Sequence, residues 1–109
     1  MASKLLNAAT ATGVSVSQRI ISPASSGSQL VHRTFQGTGS TTAGTGTTTI
    51  AVEVSDDNIN FLTLGTITLT LGTTTTTDGF AASSVWEFVR GNVTGITGTG
   101  AAVSLWMGI

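Results

Sequence analysis

Few side chains in this sequence could take part in catalysis. His32 is the only histidine, and the residues around it do not form a nucleophile elbow, so the sequence does not indicate an acyl-transfer triad. Asp56, Asp57, Asn58 and Asn60 place oxygen-bearing side chains close together, but the glycine and the terminal glutamate of an EF-hand loop are missing. We therefore predict an ordinary turn here, and no catalytic residue, metal or cofactor.

The carboxylates do not form the spaced pair that glycoside hydrolysis needs. Glu53 and Glu87 each fall within a predicted strand, where an ion pair with Arg90 or Arg33 across a sheet is the expected role. Arg90 lies in a mostly apolar segment and must find carboxylate or carbonyl partners. We predict that Arg90, Glu53 and Trp86 form a structural lock, or that Arg90 makes a subunit contact, and that the chain is not an enzyme.

The two tryptophans, Trp86 and Trp106, have the chemistry to stack on sugars or to anchor an interface. Both fall in segments that alternate apolar and polar residues. An aromatic side chain in such a strand more often belongs to the core, and we predict core positions for both.

The elements that must position these residues are strands. Two runs within residues 48–72 have the two-residue period of a half-buried strand. Their apolar positions are Ile50, Val52 and Val54 in the first run, and Ile67, Leu69 and Leu71 in the second. The alternation, with turn residues between the two runs, predicts a pair of strands at the centre of the fold.

Further strands are predicted at residues 14–21, 28–36, 84–93 and 101–107, with a turn in 22–27, a flexible loop at 37–47 and a turn at Asp78-Gly79. The strand at 28–36 has mixed faces, which is typical of a sheet edge. The whole pattern predicts an all-β fold, an antiparallel β-sandwich or jelly roll of about seven to eight strands over residues 14–109.

Residues 1–13 show neither a helical nor a strand period, and we predict a flexible N-terminal arm. It is either a frayed terminus or a segment that a neighbouring subunit orders, with Leu5 and Leu6 as anchors. The candidate residues for assembly contacts are Lys4, Leu5, Leu6 and Phe35.

The composition is poor in charge. Asp, Glu, Lys and Arg make up 8% of the chain and the net charge is -1, against about 25% charged residues in ordinary soluble domains. Threonine occurs 22 times and glycine 14 times. Two interpretations stay open: a robust neutral β surface, or a protein packed against many neighbours, where unpaired charges would be costly to desolvate.

The same composition argues against two classes of partner. Four cations do not supply the phosphate contacts of a nucleic-acid-binding protein. The longest uncharged stretch, 91–109, is interrupted by glycine and threonine and does not read as a membrane span. The N-terminal apolar run is too short for a secretory signal. We therefore expect a soluble protein with neither a nucleic-acid nor a membrane partner.

The second half of the chain resembles a family of proteins. The order VEVSDDNINFLTLGTITLTLG, then DGF, then WEFVRGNVTGITGTGAAVSLWMG resembles small virion proteins of tailed bacteriophages. In those proteins a V-x-x-S-x-D-x-x-x-F turn precedes a W-x-x-V-R-x-N-V-T strand and a final GTGA-x-V hairpin. Such proteins often have Asp-Gly at the turn. This chain has Asp57-Asn58, and asparagine also tolerates the left-handed region.

The resemblance covers about the last 60 residues and implies a structural protein. The expected role is a capsid decoration or cement protein, made in the host bacterial cytoplasm and placed on the outer surface of the capsid. There it would bind the major capsid protein as a small homo-oligomer, a dimer or trimer, and stabilise the head lattice. Two alternatives stay open: a tail, collar or fibre component with receptor contact, and a carbohydrate-binding β-sandwich module.

Overall fold

In the computed structural model, two antiparallel β-sheets pack face to face, and the structure describes residues 2–15, 17–19, 32–83 and 86–108. The strands are β1 (Ala2–Ala9), β2 (Gly13–Val14), β3 (Gln18–Arg19), β4 (His32–Ser40), β5 (Gly46–Ser55), β6 (Leu62–Leu71), β7 (Thr76–Ser83), β8 (Phe88–Ile96) and β9 (Ala102–Gly108). One sheet has the order β1-β9-β4-β7; the other has the order β2-β8-β5-β6, with β3 also pairing with β8. The predicted all-β sandwich is confirmed.

The core lies between the two sheets and is built from alternate residues of the long strands. Ile50, Val52 and Val54 of β5 have no exposed surface, and they face the inner residues of the opposite sheet. The other members of the buried cluster are Leu5, Leu6, Phe35, Ile67, Leu69, Leu71, Val89, Val93, Ala101, Val103, Leu105 and Met107. The two alternating runs that the sequence places at the centre therefore supply the central part of this core.

The predicted flexible arm is wrong for residues 2–9. This segment is strand β1, which pairs with β9 from Ala2↔Gly108 to Ala9↔Val103. The register shifts twice along the pair, and the first shift, between Lys4 and Leu6, lets both Leu5 and Leu6 turn toward the core. Because a bulge breaks the two-residue period, the alternation that marks the other strands is missing here.

The predicted edge position of the strand at 28–36 is wrong, because β4 lies between β9 and β7. Its pattern is mixed because the charged Arg33 is buried on the same face as Phe35. Further along that face, glycines leave room for the opposite sheet. A Cβ at Gly37 would lie 3.1 Å from Cγ2 of Ile67, and one at Gly39 would lie 2.8 Å from Cδ2 of Leu71. The predicted loop at 37–47 is therefore wrong for 37–40 and 46–47, which belong to β4 and β5.

The predicted turn at Asp78-Gly79 is also wrong, because both residues lie within β7 and pair with Gly37 and Gln36 of β4. A Cβ at Gly79 would lie 2.3 Å from the carbonyl oxygen of Phe35. Glycine is thus required by the close approach of two strands and not by a turn. The chain reverses earlier, at residues 72–75.

The remaining strand predictions are confirmed in part. The second alternating run lies within β6, and the predicted strands at 84–93 and 101–107 overlap β8 and β9. Of the predicted strand at 14–21, the structure shows the two short strands β2 and β3. The predicted turn in 22–27 and the parts of predicted strands at 16, 20–21, 28–31 and 84–85 lie outside the described residues.

Candidate functional site

The side chains with catalytic potential are distributed over separate elements. Glu53 lies within β5, Asp56 and Asp57 lie in the β5–β6 turn, Glu87 precedes β8 and His32 begins β4. Within the described ranges, no group of three or more His, Cys, Asp or Glu residues lies close enough to hold a metal ion. In that same part of the chain there is no helix with the length and apolarity of a membrane span.

Of the cross-strand ion pairs that the sequence left open for Glu53, the structure shows the one with Arg90. The two residues are cross-strand partners of β8 and β5, and Nε of Arg90 donates to Oε1 of Glu53 at 2.8 Å. The other carboxylate oxygen accepts a hydrogen bond from Nδ2 of Asn92 at 3.1 Å. Their side chains are 26% and 15% exposed, so the pair is largely shielded from water.

An aromatic ring that the sequence analysis did not single out, that of Phe61, covers the guanidinium. The guanidinium carbon of Arg90 lies 3.8 Å from the centroid of the Phe61 ring, a cation–π arrangement. Trp86 is partly buried and packs against the hydrophobic core, so its predicted core position is confirmed in part. Arg90, Glu53, Asn92 and Phe61 thus form a local cluster. It connects the β5–β6 turn to β8.

The turn between β5 and β6 is closed by its own side chains. Oδ1 of Asp57 accepts hydrogen bonds from the backbone N–H groups of Asn60 at 2.8 Å and Ile59 at 2.9 Å. The Asp57 carboxylate also accepts from the Asn60 amide and the Ser55 hydroxyl, each at 2.8 Å. The backbone N–H groups of Asn60 and Ile59, followed by those two side chains, hold the pKa of Asp57 well below its ordinary value.

Asn58 has the left-handed conformation, with φ at 59°. The expectation that asparagine replaces glycine at this turn is therefore confirmed. The prediction of an ordinary turn also holds for its geometry, because the Asp57 oxygens are occupied by donors of the turn itself.

Three of the four predicted assembly residues are buried inside the chain. Leu5 and Leu6 are each 7% exposed and Phe35 is 2% exposed. The Phe35 ring packs on Phe80 with a centroid distance of 5.1 Å. These three side chains are core residues of the sandwich and do not form an external contact surface. Lys4 alone is exposed.

The predicted core position of Trp106 is wrong. Its side chain lies on the outward face of β9. Its neighbours Leu105 and Met107 are buried, whereas Trp106 is partly exposed. It pairs with Lys4 of β1 and with Gln36 of β4. Nζ of Lys4 lies 4.4 Å from the centre of the indole ring system, so the ring is partly covered by a side chain of its own sheet.

The outward surface of β5 and β6 carries an array of threonines that we call the threonine face. It consists of Thr47, Thr49, Thr66, Thr68 and Thr70, with Thr47 opposite Thr70 and Thr49 opposite Thr68. The three β6 members are exposed and alternate with the buried Ile67, Leu69 and Leu71. The alternation was visible in the sequence, but its regular two-strand arrangement depends on the register of β5 and β6.

The chemistry of the threonine face is that of neutral hydroxyl and methyl groups. Hydroxyls donate and accept hydrogen bonds but do not titrate near neutral pH, so this face can bind but offers no acid or base. Burying it costs less than burying charged side chains. An open depression beside it, lined by Gly44, Thr45, Thr70, Leu71, Gly72, Thr73, Thr74 and Thr76, has the same composition.

Comparisons with known proteins find a likeness at the level of fold. No family model and no curated protein sequence matches the chain. Among solved structures, the crystal structure of the PBSX exported protein XepA is similar, with a TM-score of 0.51 and 16% sequence identity. The match covers 98% of this chain and 36% of XepA. The chain therefore spans about a third of the length of that protein, and at this identity the likeness concerns the fold.

Proposed function

We propose that this chain is a structural protein of a tailed-phage virion, a decoration or cement protein that binds the outside of the head. It would attach to the major capsid protein as a small oligomer and stabilise the shell by binding alone. The observation that carries the proposal is the neutral threonine face, since such a surface is suited to permanent contact with other proteins.

The fold comparison supports a phage origin. XepA is an exported protein of PBSX, a phage, and the matched third of its chain has a fold similar to that of this chain. The virion-protein resemblance of the sequence from Val52 onward points in the same direction, although the two observations concern different phage proteins. The finer assignment to the head rests on the resemblance and on the surface chemistry.

Surface chemistry supports attachment to a lattice rather than to a soluble ligand. A flat array of hydroxyl and methyl groups makes many weak contacts of similar kind, and a shell offers many equivalent sites. Multivalent attachment can then be firm although each contact is modest. A surface with more ionised groups would have to desolvate them at every copy.

The proposal is tested by mixing the purified protein with undecorated heads and measuring cosedimentation and the temperature at which the heads open. We expect saturable binding and a higher opening temperature. Thr49→Lys, at the centre of the threonine face, is expected to weaken binding. Thr77→Lys, at an exposed position of β7 in the other sheet, is the matched control and should bind like the parent. Absence of binding, or binding without added heat resistance, would contradict the proposal.

One observation favours a second candidate, carbohydrate binding. Trp106 lies on the outward face of its sheet, where an indole can stack on a sugar ring. Lys4 covers that ring at 4.4 Å and would have to move. A glycan array decides between the two: binding that Trp106→Ala abolishes would favour the carbohydrate module, and no binding is expected for a head protein.

A further inference from the structure

Sheet edges offer unpaired backbone groups to other chains, and natural proteins usually protect them with charges, bulges, prolines or very short strands. Of the four sheet edges that the described residues form, three have such features. Strand β1 has two register shifts and carries Lys4. The edge beside β8 is formed by β2 and β3, with two residues each. Strand β7 carries the exposed carboxylate of Asp78.

Strand β6 is the exception. Its ten residues contain no charged side chain and no proline. It pairs with β5 without interruption from Thr66↔Ala51 to Leu71↔Gly46, and its one bulge lies further back, at Leu64. Among the described residues, β6 has a strand partner on one side only. A regular, uncharged run of six residues is therefore available to pair with another strand.

We propose that β6 is the edge on which a second copy of this chain docks, with the two β6 strands antiparallel about a two-fold axis perpendicular to the sheet. Directly opposite residues of an antiparallel pair share a face of the sheet. With Thr68 opposite the same residue of the second copy, Thr66 lies opposite Thr70 and Ile67 lies opposite Leu69. The central pairs therefore match in chemistry, threonine with threonine and isoleucine with leucine, while Leu71 lies opposite Gly65.

Self-complementarity is what points to a second copy rather than to an unrelated strand. A two-fold axis brings each residue of one copy against its symmetry mate, so any charge at the centre of β6 would meet its like. This strand has none, and threonine pairs across strands are favourable. The pairing joins the two five-stranded sheets into one and makes their threonine faces continuous. The inference stands independently of the proposed role on a phage head.

The first test is the solution mass of the purified protein by analytical ultracentrifugation over a range of concentrations. We expect a monomer–dimer equilibrium. Thr68→Lys places two ammonium groups opposite each other and is expected to leave only the 11.0 kDa monomer over the range where the parent is dimeric. Thr94→Lys, on β8 of the same sheet, should dimerise like the parent.

The second test uses the absence of cysteine from the chain. It does not depend on whether the fold tolerates a lysine at position 68. Thr68→Cys brings two thiols together on the two-fold axis, where opposite Cβ atoms are about 4.5–5.5 Å apart. Oxidation, or a short bifunctional thiol reagent, is expected to give a covalent dimer on a non-reducing gel. Thr94→Cys and Thr77→Cys, the latter on the β7 edge, are the controls.

Efficient linkage through Thr68→Cys alone would support the inference. A protein that is monomeric at every concentration, a trimer, a dimer that survives Thr68→Lys, or equal linkage at all three positions would overturn it.

Discussion

Arg90 is one of the few charged residues of the chain, and its side chain is mostly shielded from water. Its guanidinium lies between the Glu53 carboxylate and the Phe61 ring. Because the pair is mostly shielded from water, it is worth more than an exposed ion pair. Replacing Arg90 also leaves Glu53 with one fewer donor, which adds to the cost.

We therefore expect Arg90→Ala to lower the free energy of unfolding by about 1–2 kcal/mol, measured by chemical denaturation. Arg90→Lys should recover only part of this, because an ammonium group lacks the planar face that stacks on Phe61. Asp56→Ala, in the exposed turn, is the control and should change stability little. An unchanged denaturation midpoint for Arg90→Ala would show that the cluster is not a structural lock.

The ionisation of Asp57 is coupled to the structure of the β5–β6 turn. Hydrogen bonds from Asn60, Ile59 and Ser55 stabilise its charged form, so its folded pKa lies below the ordinary value of 3.8. A depressed folded pKa stabilises the native state at every pH above the unfolded pKa, and that contribution is lost as the pH falls toward the folded pKa.

Asp57→Asn is accordingly expected to be less stable than the parent at neutral pH, with a difference that stays constant down to about pH 5 and shrinks below about pH 4. Melting temperatures recorded from pH 7 to pH 2.5 measure this. Asp56→Asn controls for the loss of one negative charge. A difference that grows on acidification would contradict the assignment.

Among the elements, β1 separates the structure most clearly from the prediction. Leu6 of β1 is buried, and its Cδ1 would lie 3.0 Å from a Cβ at Gly91 of β8. Strands β1 and β8 therefore pack closely across the core. We expect Leu6→Ala to cost about 2–4 kcal/mol in chemical denaturation. Asn7→Ala, exposed on the same strand, should cost much less. If both substitutions had equal, small effects, residues 2–9 would be a flexible arm in solution and the β1 assignment would be contradicted.

Close approaches between elements also assign a role to particular glycines. A Cβ at Gly46, where β5 begins, would lie 2.0 Å from the carbonyl oxygen of Thr97, a backbone atom that has no alternative rotamer. Gly46→Ala is expected to cost at least about 2 kcal/mol in thermal or chemical denaturation. Gly72→Ala, which meets no atom within 4 Å, is the matched control, and an equal effect of the two would contradict the close contact.

The elements that could be predicted are those with an undisturbed two-residue period, as in β5, β6 and β9. The same reasoning failed where another constraint replaced the period. In β1, a bulge turns Leu5 and Leu6 the same way. In β4 and β7, glycines allow close packing, but in the sequence they look like the glycines of loops and turns. The Arg90–Glu53 pair was predictable because both residues interrupt apolar strands; the Phe61 ring was not, because its position depends on the turn.

Considered as a whole, the molecule is an elongated slab of 49 × 25 × 17 Å with two broad outward faces. The chemistry of those faces accounts for the proposed function better than any single side chain. One face carries the threonine array and the other carries Trp106 and Lys4 among hydroxyl and amide groups. A thin, neutral slab of this kind fits a protein that covers a surface.

The measurement that tests this account most directly is an image reconstruction of intact particles of the phage that, under the proposed function, carries this chain. We predict density of the size and shape of this sandwich on the outer surface of the head, in contact with the shell at symmetry-related positions. Density for the chain in the tail, collar or fibres, or particles that lack it altogether, would contradict the account.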